Sequence, residues 1–130
     1  MIKIYTSYFA QLKKLDRVGI VPISIARYSP RFFHGDILLE VAPIGAMLSM
    51  NEEEYRIAYR EILRKVDVNK LLVKIQVLSK GKDAALLCYE KPSDFCHRRL
   101  LSEWIENSVG IKVPEWGISK NPKVEQLSLF

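Results

Sequence analysis

Cys96, His97 and Arg98 follow one another a few residues after Glu90, and these four residue types together could do chemistry. The thiol is a nucleophile or soft ligand, the imidazole exchanges a proton near neutral pH, the guanidinium matches phosphate oxygens and the carboxylate is a second acid/base group. They lie in Leu86-Leu87-Cys88-Tyr89-Glu90-Lys91-Pro92-Ser93-Asp94-Phe95-Cys96-His97-Arg98-Arg99. This stretch reads as an apolar strand, a short turn and a helix for which Ser93 or Asp94 is a suitable cap. Cys96, His97 and Arg98 then occupy the helix's first turn. Free backbone N–H groups and the positive end of the dipole make such a turn an anion site, and the same field lowers a thiol's pKa. Basic side chains oppose the dipole there, so the arrangement asks for a partner anion, either Glu90 or a ligand phosphate.

Helical phase sharpens the expectation. At roughly 100° per residue, Leu100, Leu101, Trp104 and Ile105 set the core face. His97 falls near its centre, Cys96 and Arg98 flank it, and Arg99 points to solvent. A single histidine on an apolar face is more often a satisfied structural residue than a functional one. The strand-end setting, Glu90 and the arginines tilt His97 towards function. For Cys96 the bland reading, an inert packed thiol, outweighs the nucleophilic one. As neighbours on a helix, Cys96 and His97 should also diverge and form no ready nucleophile–base pair. Zinc through Cys88, Cys96, His97 and His34 matches no standard ligand spacing, so no metal is expected.

The elements that must position these residues alternate along the chain. A strand is expected at residues 2–5 and a helix at 8–16, with Phe9, Leu12 and Leu15 on one stripe and Gly19 ending it. Residues 20–26 and 84–89 read as buried strands of nearly continuous apolar character, which suits a parallel sheet covered on both faces. Residues 27–50, punctuated by Pro30, Gly35, Pro43 and Gly45, show no regular element; a connection so long is usually functional or mobile. Asn51 and Glu54 form a capping-box pattern before a helix closed by Arg64 and Lys65. A helix follows over 69–79, ended by Gly81, then the helix within 92–107 and a last strand over 111–115. Alternating strands and helices predict a parallel sheet with covering helices. Ligands of such sheets collect beyond the carboxyl ends of the strands. That rule brings together Thr6 and Ser7, Arg27 and Tyr28, and Glu90.

With 130 residues, 48% hydrophobic and 27% charged, the chain has the make-up of one globular domain. No apolar run approaches the ~20 residues of a membrane span, and Met1 to Tyr5 lacks the zones of a signal peptide, so a cytoplasmic protein is expected. In that compartment Cys88 and Cys96 are expected as thiols. The net charge of +5 is compatible with an anionic partner without demanding nucleic acid. There is no glycine-rich phosphate loop, P-loop lysine or cluster of metal-binding carboxylates, which argues against common ATPases and two-metal nucleases, and no cofactor is expected.

Several blocks carry a family resemblance: Ser24-Ile25-Ala26-Arg27-Tyr28-Ser29-Pro30, Ala42-Pro43, Glu54-Tyr55 with Tyr59, and Ala84 to Glu90 followed by Phe95-Cys96-His97-Arg98. On these the chain, from Ile2 to about Trp116, resembles the domain-of-unknown-function 488 (DUF488) family. The resemblance implies a compact three-layer α/β/α fold with a mostly parallel, Rossmann-like sheet. It also implies a pocket using Arg27, Glu90, Cys96, His97 and Arg98, and brings no known reaction. One departure is visible. Many members carry Thr-Ile-Gly-His after the first strand, where this chain has Thr6-Ser7-Tyr8-Phe9, so any role of that histidine is absent.

After Gly117 the sequence turns polar, giving a domain over 1–117 and a tail over 118–130. The tail contains Gln126-Leu127-Ser128-Leu129-Phe130, which is similar at every position to the bacterial sliding-clamp-binding pentapeptide. A polar anchor with three apolar side chains suits insertion into a preformed groove, on a tether formed by residues 119–125. The plainer alternative is an apolar tail folded onto its own domain.

Two functions remain open. The first is an enzyme acting on a nucleotide or nucleic acid at the sliding clamp. Glu90 and His97 would share acid/base work, Cys96 would be nucleophile or pocket wall, and Arg27, Arg98 and Tyr28 would hold the anion. The second is a non-catalytic anion or nucleotide sensor or adaptor. A strongly shifted His97 or Glu90 would favour the enzyme, and a shallow, solvated Cys-His-Arg turn the adaptor.

Overall fold

The structure, a computed structural model, describes residues 2–89 and 96–117. Strands β1 (Ile4–Tyr8), β2 (Val21–Ser24), β3 (Asp36–Ile37) and β4 (Ala84–Cys88) form one parallel sheet in the order β1-β4-β2-β3. The helices are α1 (Leu12–Arg17), α2 (Glu52–Arg64), α3 (Val68–Leu78) and α4 (His97–Val109). β4 is buried at every position because it is central and covered on both faces. Its alternation assigns the layers. Ala84, Leu86 and Cys88 join Ile4, Ile23, Tyr59, Ile75, Leu101 and Ile105 under α2, α3 and α4. Ala85 and Leu87 join Phe9, Leu15, Ile20 and Ala26 on the α1 side. The result is the expected three-layer α/β/α architecture.

Pro22 stands inside β2, where a missing N–H is ordinarily costly. Val21 and Ile25 donate their N–H groups towards β4, to Asp83 and Leu87. By alternation Pro22 faces the other edge, and β3 does not begin to pair until Ile23. The ladder therefore loses nothing.

Where elements differ from expectation, the cause is local. β1 starts and ends later than expected, so Thr6 and Ser7 lie within the strand, buried, rather than beyond its carboxyl end. A 3-10 turn, Phe9–Gln11, precedes the shortened α1. Residues 27–50 hold the two-residue β3 and 3-10 turns at Leu39–Val41 and Gly45–Ser49, too short for any periodicity to reveal. α2 carries the expected capping box: the Asn51 side chain accepts from Glu54 N–H at 2.8 Å and the Glu54 carboxylate accepts from Asn51 N–H at 3.2 Å. α3 begins one residue early because Asp67 caps it, accepting from the N–H groups of Asn69 and Lys70. The strand expected at 111–115 is a single parallel bridge between Thr6 and Glu115. Gly110, left-handed at φ 74°, ends α4 and turns the chain back towards that bridge.

Tyr59, fully buried, locks α2 to the long connection by donating to the Val41 carbonyl at 2.6 Å. Burial holds its pKa well above the usual tyrosine value, so it remains a donor. Tyr59→Phe keeps the ring and strands the carbonyl. It should lower stability by roughly 1–3 kcal/mol, read as a shifted denaturant midpoint at unchanged m.

Candidate functional site

β2 runs out through Ile25 and Ala26 to Arg27 and Tyr28, β4 runs out to Tyr89, and α4 starts beside both. Between them, at the carboxyl edge of the sheet, lies a cavity of about 400 Å³. Arg27, Glu52, His97 and the two cysteines give it polar character, while Tyr28, Pro43, Met47, Leu48, Met50 and Tyr55 form most of the remaining wall. The long connection is thus the wall of the site. Arg27 is oriented by its Nε–H, which donates to the Pro43 carbonyl at 2.8 Å. Tyr28 is largely exposed at the rim.

His97 is buried, and its Nε2 lies 2.7 Å from the Ile25 carbonyl oxygen. A carbonyl can only accept, so Nε2 carries the proton and Nδ1 presents its lone pair. The ring also meets Tyr59 edge-on, with centroids 5.4 Å apart. Burial pulls the His97 pKa down to about 4; the bond to Ile25 acts in the other direction, and the nearby charge of Arg98 adds to the fall. The imidazole is therefore neutral at physiological pH.

Cys96 was expected inside the helix. It is instead the N-cap, with extended backbone (φ −151°, ψ 146°), and α4 begins at His97. That conformation removes the divergence expected of helical neighbours, and Cys96 Sγ lies 3.7 Å from His97 Nδ1. The expectation of two free thiols also fails, since Cys88 and Cys96 are joined. Alternation turns Cys88, the last residue of β4, towards the layer of α4, which sets its sulfur against the start of that helix.

Arg98 does not line the cavity. It is buried, with Nε–H donating to Glu115 Oε1 at 3.0 Å, Nη1–H to Cys88 Sγ at 2.9 Å, and its guanidinium 5.7 Å from the Tyr8 ring centre. Thr6 Oγ1 donates to the same Glu115 oxygen at 2.7 Å. The anion that this basic helix start requires is supplied, among the described residues, by Glu115, to which the sequence reading gave no role. Arg99 is exposed, as its phase indicated.

His97 and Arg27 thus meet at one cavity with Cys96 and Cys88. Glu90, with Ser93 and Asp94, and the pentapeptide Gln126 to Phe130 lie outside the described residues. His34 is exposed and apart from the cluster. Sequence reasoning missed Met47, Leu48, Met50 and Tyr55 as wall. The Tyr55–Tyr59 pair at i,i+4 was the available signal, because it places both rings on the inner face of α2.

A parallel α/β/α fold with a ligand-sized cavity at the carboxyl edge of its sheet defines the class of protein. The family model of the Active DUF488-N3 subclade matches residues 20–109, and the chain belongs to the DUF488 family. No curated protein and no solved structure matches it. Among the described residues no helix is long and apolar enough to cross a membrane.

Because the folded pKa of His97 lies below the ordinary 6.5 of the unfolded chain, its contribution to stability is complete above that value. It is lost as pH falls towards about 4, where the loss levels off. His97→Gln can keep a donor to Ile25 without titrating. In chelator-containing buffer, wild type should lose about 3 kcal/mol more than this variant between pH 7 and pH 4, measured by denaturant titration at stepped pH.

Proposed function

We propose that the chain is an enzyme acting on a nucleotide or on nucleic acid, and that Gln126-Leu127-Ser128-Leu129-Phe130 brings it to the DNA sliding clamp. The observation that carries the catalytic half is the opening of Arg27 and a buried, strongly shifted His97 into one cavity at the strand ends. Perturbed ionisable groups in a cleft are the usual mark of a working site. About 400 Å³ is a fitting size for one nucleotide. Arg27 lines the cavity with its Nε held by the Pro43 carbonyl, and its terminal amino groups can donate to a phosphate. Tyr28 and Tyr55 supply rings on which a base can stack. Glu90 and His97 are assigned the acid/base work, with His97 Nδ1 as acceptor. Arg98, paired with Glu115, holds the helix start and acts on an anion only at a distance. A non-catalytic nucleotide sensor is favoured by one observation, the joined cysteines, which leave no thiol free for nucleophilic attack.

Calorimetric titration with the common nucleoside monophosphates and with inorganic phosphate tests the pocket. At least one nucleotide should bind, and Arg27→Ala should weaken it about tenfold or more, or about 1.4 kcal/mol. No binding of any at millimolar concentration would end the reading. Turnover lost in His97→Gln at retained affinity marks an enzyme, and binding without turnover marks the sensor.

Clamp affinity is measured for the full chain, for a chain cut after Pro122 and for the free tail peptide. Leu129→Ala with Phe130→Ala should cost over ~2 kcal/mol and Ser128→Ala far less, because apolar anchors usually carry such interfaces. Unchanged affinity after truncation would make the motif a coincidence.

A further inference from the structure

Three potential ligand atoms converge at the floor of the cavity: Cys88 Sγ, Cys96 Sγ and His97 Nδ1, all within 4.8 Å of one another and all on buried residues. We propose that these atoms form a three-ligand site for a thiophilic divalent cation of the zinc class, with the fourth position facing the cavity, and that joining the two sulfurs closes the site.

The geometry argues for it atom by atom. An ion about 2.3 Å from sulfur and about 2.0–2.1 Å from imidazole nitrogen, with tetrahedral angles, sets sulfur and nitrogen about 3.6 Å apart. Cys96 Sγ and His97 Nδ1 stand 3.7 Å apart, the separation of neighbouring vertices. Two sulfurs on one such ion stand about 3.8 Å apart. Cys88 and Cys96 have Cα atoms 7.5 Å apart, which leaves room for their sulfurs to separate around an ion once the bond between them is opened.

The surroundings prepare each ligand. The Ile25 carbonyl holds the proton on His97 Nε2, so the lone pair sits on Nδ1, and a backbone carbonyl behind a ligating histidine is the usual way of fixing that ring. Arg98 Nη1–H points at Cys88 Sγ from 2.9 Å and stabilises a thiolate there. Two thiolates and a neutral imidazole balance the charge of a divalent ion in a buried site. All three residues also line the cavity, so the remaining position is open to water or to a bound ligand, as in a reactive rather than a structural zinc site.

Opening the cysteine pair consumes two electrons and two protons from a dithiol reductant, whose own thiols become a disulfide. Entry of the ion then releases the two thiol protons. The site is therefore available in the reduced chain and withdrawn in the oxidised one; an ion there occupies the Nδ1 lone pair, so the proton-acceptor role assigned to His97 above belongs to the metal-free chain. The site does not depend on the identity of the cavity's ligand, because metal binding is read with no nucleotide present.

Cobalt(II) is the probe, added to the full chain after treatment with a non-chelating phosphine reductant. The reduced protein should bind one ion, with thiolate-to-cobalt charge-transfer absorption and the intense visible bands of a tetrahedral centre, and zinc should bleach both. Cys88→Ser should lose most of the charge-transfer band. His97→Gln, which can keep the bond to Ile25, should keep that band while binding at least about tenfold more weakly. The oxidised wild type, whose fold needs no substitution, should show no bands, and reduction should restore them. A reduced chain with native circular dichroism that stays colourless overturns the proposal. So does an equal signal in the oxidised chain, or a cobalt affinity indifferent to His97→Gln.

Discussion

The carbonyl of Ile25 has left the reach of the sheet ladder while still buried, and an unsatisfied buried carbonyl is expensive. His97 Nε2–H satisfies it at 2.7 Å, and that one bond joins the end of β2 to the first residue of α4. The rest of the site follows from it. It fixes the imidazole tautomer, it turns Nδ1 towards Cys96, and it holds the start of α4 against the sheet edge where β4 delivers Cys88. The edge-on ring of Tyr59, itself tied to Val41, closes the remaining side and links this bond to the wall contributed by the long connection.

The charges divide between two sides of α4. Arg98 and Glu115 form a pair only 3% and 18% exposed, reinforced by Thr6. A pair so enclosed adds little net stability, because desolvation offsets the attraction; losing one partner is what costs. It fixes the segment around Glu115 along β1 and keeps a cation beside Cys88 without opening it to the cavity. Arg27, on the cavity side, is only partly buried and keeps donors to spare.

Most of the scaffold was legible because its signals repeat. α2 announces itself through Asn51 and Glu54, α4 through its apolar phase, and β4 through unbroken burial, and each lies close to where those patterns place it. What escaped depends on single residues or on distant partners. The approach of Cys96 to His97 rests on one extended N-cap residue that no periodicity encodes. Glu115 meets Arg98 across 17 positions of sequence, and β3 is two residues long. The sequence left Cys96 as nucleophile or pocket wall and read Arg98 as anion-binding; what it did not reveal is that Cys96 clusters with Cys88 and His97 and that Arg98 pairs with Glu115.

The two margins of the sheet share a property with wider meaning. On one side β3 offers only Asp36 and Ile37; on the other, Thr6 of β1 has both backbone groups taken by Pro114 and Trp116. An incoming strand would find too short a template at the first margin and an occupied midpoint at the second. Addition of a foreign strand, a route by which open sheets recruit peptides or polymerise, is therefore discouraged at both sides. Association with other macromolecules is left to side-chain surfaces and to segments outside the sheet.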